Sequence, residues 1–196
     1  MSAYAPTDET RIREAKRPVL TTLAHTLRGQ TWEGCEFKVR RNADAVRAET
    51  RLPDGTFAIW FIATYKVGLP PGQFALAPMA LMRGGPIWQV LRNAGALHSD
   101  DSWLVRLNLT LLPHHQDWVP ADDLGISTCT GFLRDTAPKV LSMFIHDWSA
   151  AMTFVDSTPN QVTRADLTLT TLRMLREDSS PDGQRAAERA VAAIID

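Results

Sequence analysis

The sequence predicts an α+β fold: a mostly antiparallel five-stranded sheet packed against a long helix, in the order α-βββ-α-ββ-α, with a C-terminal helical extension. Three observations predict it. From Cys35 onward the apolar period changes from 3.6 residues to two, the spacing of strands with one buried and one wet face. The runs are joined by short turn chemistry, Asn42-Ala43-Asp44 and Pro53-Asp54-Gly55, which suits antiparallel neighbours. The stretch Gly131–Asp156 then carries the strongest amphipathic pattern in the chain: Ala137, Leu141, Phe144, Trp148, Ala151 and Val155 recur at steps of three and four.

The elements follow in order. Met1 to Pro6 is expected to be disordered. Thr7 or Asp8 can cap a helix to about Arg28, with Gly29 just past its end. Its expected apolar face is Ile12, Ala15, Val19, Leu23 and Leu27. Pro18 either bends this helix or starts a second one, and a bent continuous path is the expectation. Cys35, Phe37 and Val39 form the inner face of a first strand, and Val46, Ala48, Thr50 and Leu52 that of a second. Thr56–Lys66 is apolar on both faces and reads as a central strand. Val67–Gly85 is rich in Gly and Pro and reads as an ordered loop lying over apolar surface or as a partner-contacting segment. Phe74, Leu76, Met79, Leu81 and Met82 make it too apolar for a solvated linker. Pro86 opens a short helix to about Ala94. Trp103–Leu111 alternates as a strand, and Gly125–Leu133 is expected to be the fifth strand. Asp135, Thr136 and Pro138 are suitable openers for the long helix, which is expected to end near Asp156. Two helices follow: about Thr163–Glu177, with Thr163 and Asp166 as a capping box, and one that begins at Ser180-Pro181-Asp182. Residues 1–156 are read as the core domain and 157–196 as the helical extension.

The bulk properties narrow the function classes. The chain has 196 residues, 44% hydrophobic and 22% charged, as in ordinary soluble domains. With 21 basic and 22 acidic residues, the net charge of −1 gives no bulk case for nucleic acid or an anionic membrane. No signal peptide or transmembrane run is expected, and a cytoplasmic location is. Cys35 and Cys129 have neither disulfide-framework nor zinc spacing and read as buried thiols.

This element order, over about Thr7–Asp156, resembles the class I type III secretion chaperones and the related YbjN-like bacterial proteins. The resemblance implies a non-enzymatic homodimer that holds an extended client segment on apolar sheet and helix surfaces. The dimer would use about Pro86–Ala94 and Trp103–Leu111. This chain is longer and nearer neutral than that family, and residues 157–196 have no counterpart in its simple pattern.

The expected function is therefore a chaperone-like protein-binding module with a protein client or effector as partner. Its contact candidates are Phe74, Leu76, Met79, Trp88, Trp103 and Trp118. Neither a catalytic residue nor a cofactor is assigned. His114, His115 and Asp117, with Asp122 and Asp123 nearby, are the metal candidates. No ligand spacing fixes a geometry there, so a solvated loop is the plainer reading. His98, Ser99, Asp100 and Asp101 lack the strained elbow that a serine nucleophile needs. A small metal-dependent hydrolase using the loops of residues 98–123 is the alternative, as is an immunity or adaptor protein. Arg83-Gly84-Gly85-Pro86 reads as a turn into a helix rather than an anion site. Lys38, Arg40, Arg47 and Arg51 share the outer face of the first hairpin, with Glu36 and Glu49 interleaved for ion pairing.

Overall fold

The computed structural model describes residues 6–32, 35–52, 55–64, 69–70, 73–97 and 103–195, with side chains from residue 13 onward except those of residues 32 and 52. The expectations for Met1–Ala5, the Thr7 or Asp8 cap, Ile12, Pro53-Asp54, part of the proline-rich loop and His98–Asp101 lie outside the described residues. The α+β class and the mostly antiparallel sheet are as the sequence predicts.

Helix α1 runs unbroken over Pro6–Leu27, through Pro18. Its buried face is Lys16, Leu20, Leu23, Ala24 and Leu27, turned slightly from the expected one. Ala15 is exposed and Val19 half-buried. A short pair, β1 (Thr31–Trp32) and β2 (Cys35–Glu36), precedes the main sheet. There β3 (Lys38–Arg41) and β4 (Ala45–Leu52) form an antiparallel hairpin with Val39 opposite Ala48 and Arg40 opposite Arg47. Asn42 sets its turn, because its Oδ1 accepts from the backbone N–H of Asp44 (2.9 Å) and Ala45 (2.7 Å). Val46, Ala48 and Thr50 are buried, while Arg47 and Arg51 are exposed. The next strand, β5 (Gly55–Thr64), buries Phe57, Ala58, Ile59, Phe61 and Ala63.

The segment expected to be a loop is largely a strand, β6 (Ala75–Gly84), with Ala75, Leu76, Met79, Ala80, Leu81 and Met82 buried. Pro78 misleads the sequence reading. A proline has no N–H for a ladder, so it argues against an interior strand. Here it falls where the neighbour changes. Residues Ala75 and Leu76 pair with β8 (Val119–Pro120), and Met82 O accepts from Leu104 N (2.8 Å) before β7 (Val105–Leu107). The strand order is β3-β4-β5-β6-β7, with β8 also on β6.

Helix α2 (Gly85–Asn93) starts at the expected place. Gly84 (φ 95) and Gly85 (φ 76) turn the chain out of β6 through the left-handed region, where a side chain would be strained. The expected strand Trp103–Leu111 shrinks to β7. Asn108 accepts from Thr110 N (3.0 Å) and caps a 3-10 turn at Leu109–Leu111, so the local bond wins over the ladder.

The expected fifth strand, Gly125–Leu133, is helical. Asp122 caps α3 (Asp123–Gly131) by accepting from Gly125 N (2.8 Å). The hydroxyls of Thr128 and Thr130 donate to the carbonyls of Leu124 and Ile126, so neither threonine needs a strand. The buried set Gly125, Cys129, Phe132 and Leu133 has helical spacing. The long helix also differs from expectation. The chain enters it through a π-helical turn, Phe132–Thr136, followed by α4 (Ala137–His146) and α5 (Trp148–Ser157). Pro138 cannot donate to the carbonyl of Arg134, and the wider turn lies just before it. Asp147 separates α4 from α5, since its side chain accepts from Ala150 N (3.0 Å) as a new N-cap.

Helices α6 (Ala165–Glu177) and α7 (Pro181–Ile195) complete the chain. The expected capping box does not form. Arg164 is the residue before α6, and Thr163 Oγ1 donates to Trp103 O (2.6 Å) instead. The chain divides into two compact units: Met1–Arg51, Ala58–Ala80 and Leu107–Ala137 in the first; Leu52–Phe57, Leu81–Arg106 and Pro138–Asp196 in the second. In the first, α1 packs on β3 and α3, and α3 packs on β8. In the second, α6 packs on α5, α7 and α2, and α7 also packs on α2. Asn93 Nδ2 donates to Glu188 Oε1 (2.7 Å) across the α2–α7 contact. Among the described residues no helix is long and apolar enough to cross a membrane.

Candidate interaction surface

Strand periodicity builds the surface. In the first unit, alternation along β3 and β4 puts Lys38, Arg40, Arg47, Glu49 and Arg51 on one face, away from the buried Val46, Ala48 and Thr50. The register sets Lys38 opposite Glu49, a favourable pair, but Arg40 opposite Arg47. Like charges directly opposite destabilise a sheet. Among the described residues of β3 and β4, four cations on this face meet one carboxylate.

Trp60 of β5 joins them. It is half-buried, and the Arg47 guanidinium carbon lies 4.8 Å from its ring centroid. Arg47 also forms an ion pair with Glu49. Its cation is thus held between an aromatic face and a carboxylate, and it is oriented where an isolated surface arginine would be mobile. Ile62, one step along the same side of β5, is half-buried. A planar aromatic, an aliphatic side chain and a set of guanidinium groups make a face that can take both apolar and anionic groups.

The residues singled out in the sequence lie elsewhere. Phe74 (4% exposed), Leu76 (0%), Met79 (7%) and Trp88 (7%) are interior, so they present no apolar groove. Trp103 is half-buried under Arg83, whose guanidinium carbon is 5.2 Å from its ring centroid. Trp118 is half-buried in the loop before β8. His114, His115 and Asp117 are exposed in that loop, and His114 has a left-handed backbone (φ 63). Among the described residues no group of three or more His, Cys, Asp or Glu side chains could hold a metal ion. Cys129 is buried, and desolvation pushes its thiol pKa up to about 12, which suits packing and not nucleophilic attack. Cys35 is half-buried.

Trp60 is the residue that sequence reasoning missed. It lies in Thr56–Lys66, a run apolar on both faces that reads as a central strand. Parity along β5 groups it with Ile62 and Thr64, but only the register against β4 reveals the guanidinium above it. Comparison with protein-family models, curated proteins and solved structures finds no match to this chain.

Proposed function

We propose that this chain is a non-enzymatic, chaperone-like protein-binding module that holds an acidic, extended client segment against the outer face of β3, β4 and β5. The carrying observation is the like-charge Arg40–Arg47 cross-strand pair, in which the Arg47 guanidinium pairs with Glu49 and stacks on half-buried Trp60. A carboxylate of a client between the two arginines would relieve their repulsion, and an apolar side chain beside it would cover Trp60. Strand β3 is the terminal strand of the order, so an extended segment beside it would continue the sheet. This reading replaces an apolar groove with a charged face bearing one aromatic. The homodimer that the family resemblance implies would need a surface other than the apolar side of α2. There Ile87, Trp88, Val90 and Leu91 are buried, and α6 and α7 of the same chain pack on that helix.

The test titrates the protein with an extended peptide that alternates glutamate with leucine. Saturable binding should weaken with added salt. Arg40→Glu plus Arg47→Glu, and separately Trp60→Ala, should each reduce affinity by about tenfold or more. Unchanged affinity in both variants contradicts the proposal. Tighter binding of a single-stranded oligonucleotide of equal charge replaces it with a nucleic-acid reading.

A further inference from the structure

We propose a second binding site in the first unit: a concavity walled by Arg13, Arg17 and Arg41 that takes the phosphate group of a small organic phosphate. The site goes beyond the client-binding face. Arg41 lies on the opposite side of β3 from Lys38 and Arg40, where its Nη1 donates to Thr21 Oγ1 (2.9 Å) and Arg17 O (3.4 Å) of α1. Arg13 and Arg17 stand one turn apart on α1, a like-charge i,i+4 pair that disfavours the helix on its own. The fold brings a third guanidinium, Arg41, to them.

Asp44, beside this group, does not neutralise it. Asp44 is held by Lys16, whose Nζ donates to its Oδ1 at 2.9 Å. That hydrogen bond keeps the carboxyl of Asp44 below its ordinary range, with the charges of Lys16 and Arg13 contributing less. Among the described ion pairs, Asp44 is bound to Lys16 and to none of Arg13, Arg17 and Arg41. The cavity has a volume of about 360 Å³, near the small end of small-molecule sites, and Leu20, Asn42 and Ala43 complete its wall. Asn42 Oδ1 is committed to the hairpin turn, which leaves its amide N–H groups as donors. The polar groups on offer are thus almost all donors, and three of them are guanidinium forks. A phosphate dianion can accept from several forks at once, whereas a carboxylate has two oxygens for one. Leu20 and Ala43 supply apolar contact for the organic part.

Calorimetric titration with inorganic pyrophosphate and with phenyl phosphate, at constant ionic strength, tests the site. Saturable one-to-one binding is expected, with citrate weaker. Arg13→Gln plus Arg17→Gln should weaken phosphate binding by about tenfold or more, since each lost charge-assisted bond is worth that order. Both side chains are exposed, so the variant should keep its circular dichroism spectrum. Arg41→Lys, which keeps the charge and loses the fork, should also bind more weakly, and Arg173→Gln in the second unit should bind as the parent does. Equal affinity for citrate, unchanged affinity in the double variant, or no saturation at millimolar phosphate would overturn the proposal. Binding only to vesicles bearing a phosphoinositide, with no response to the free phosphates, would overturn the small-ligand assignment. None of these variants touches Arg40, Arg47 or Trp60, so failure here is distinct from failure of the client-binding face.

Discussion

Lys16 holds a charge at 8% exposure, and its acid partner Asp44 has a side chain 64% exposed. Water screens one end of the pair and not the other. Its energy therefore lies between a surface ion pair and a buried one. Asp44→Asn should destabilise the protein by about 1 kcal/mol at pH 7, read from urea midpoints. The sign with pH follows from the lowered carboxyl pKa. The contribution of Asp44 is present above its unfolded-state pKa and is lost as pH falls through its folded-state value. Parent and variant midpoints should thus converge in acid. A gap that stays constant down to pH 2.5 would show that the pair does not act through ionisation. Individual side chains of this kind were poorly legible in the sequence. Nothing in the spacing of Lys16 and Asp44, or of Arg47 and Trp60, indicates that they meet, because both contacts depend on register and helix docking.

Segments with one dominant signal were legible. The α1 period, the alternation of β4 and the Pro86 start of α2 each have a single local cause, and tertiary contacts reinforce it. The failures share a different cause: local propensity pointed one way and packing another. Pro78 argues against β6, yet seven of the ten residues from Ala75 to Gly84 are buried in a strand, with Ala77, Arg83 and Gly84 half-buried. Thr128, Cys129 and Thr130 argued for a strand, yet Gly125 and Cys129 are four apart and both buried. Gly125 makes the second case testable. A Cβ there would lie 1.8 Å from Pro120 O, so α3 can approach β8 only with glycine at this position. Gly125→Ala should cost about 1–3 kcal/mol, the range for overpacking, or more if α3 must lift. Gly131→Ala, whose Cβ would meet nothing closer than Asp135 Oδ2 at 4.0 Å, should be far milder. Equal midpoints for the two variants in urea would refute the close approach of α3 to β8.

In the second unit, the helices after Asp156 are structural partners of α2 and α5. Leu167, Leu172 and Leu175 of α6 and Ala187 and Val191 of α7 are buried, as are Trp88, Val90 and Leu91 of α2. Truncation after Ser157 should therefore expose the apolar side of α2, and the shortened chain should bind a hydrophobic dye and self-associate. A truncated chain that stays monodisperse and unstained would show that α6 and α7 contribute little to covering α2. The first unit carries the proposed client-binding face. Chemical-shift mapping with the glutamate–leucine peptide locates the client on that face. The largest changes should fall on the Trp60 indole N–H and on the backbone amides of Lys38–Arg41 and Arg47, and they should saturate together. Changes centred on other residues, with Trp60 and β3 unmoved at saturation, would contradict that placement.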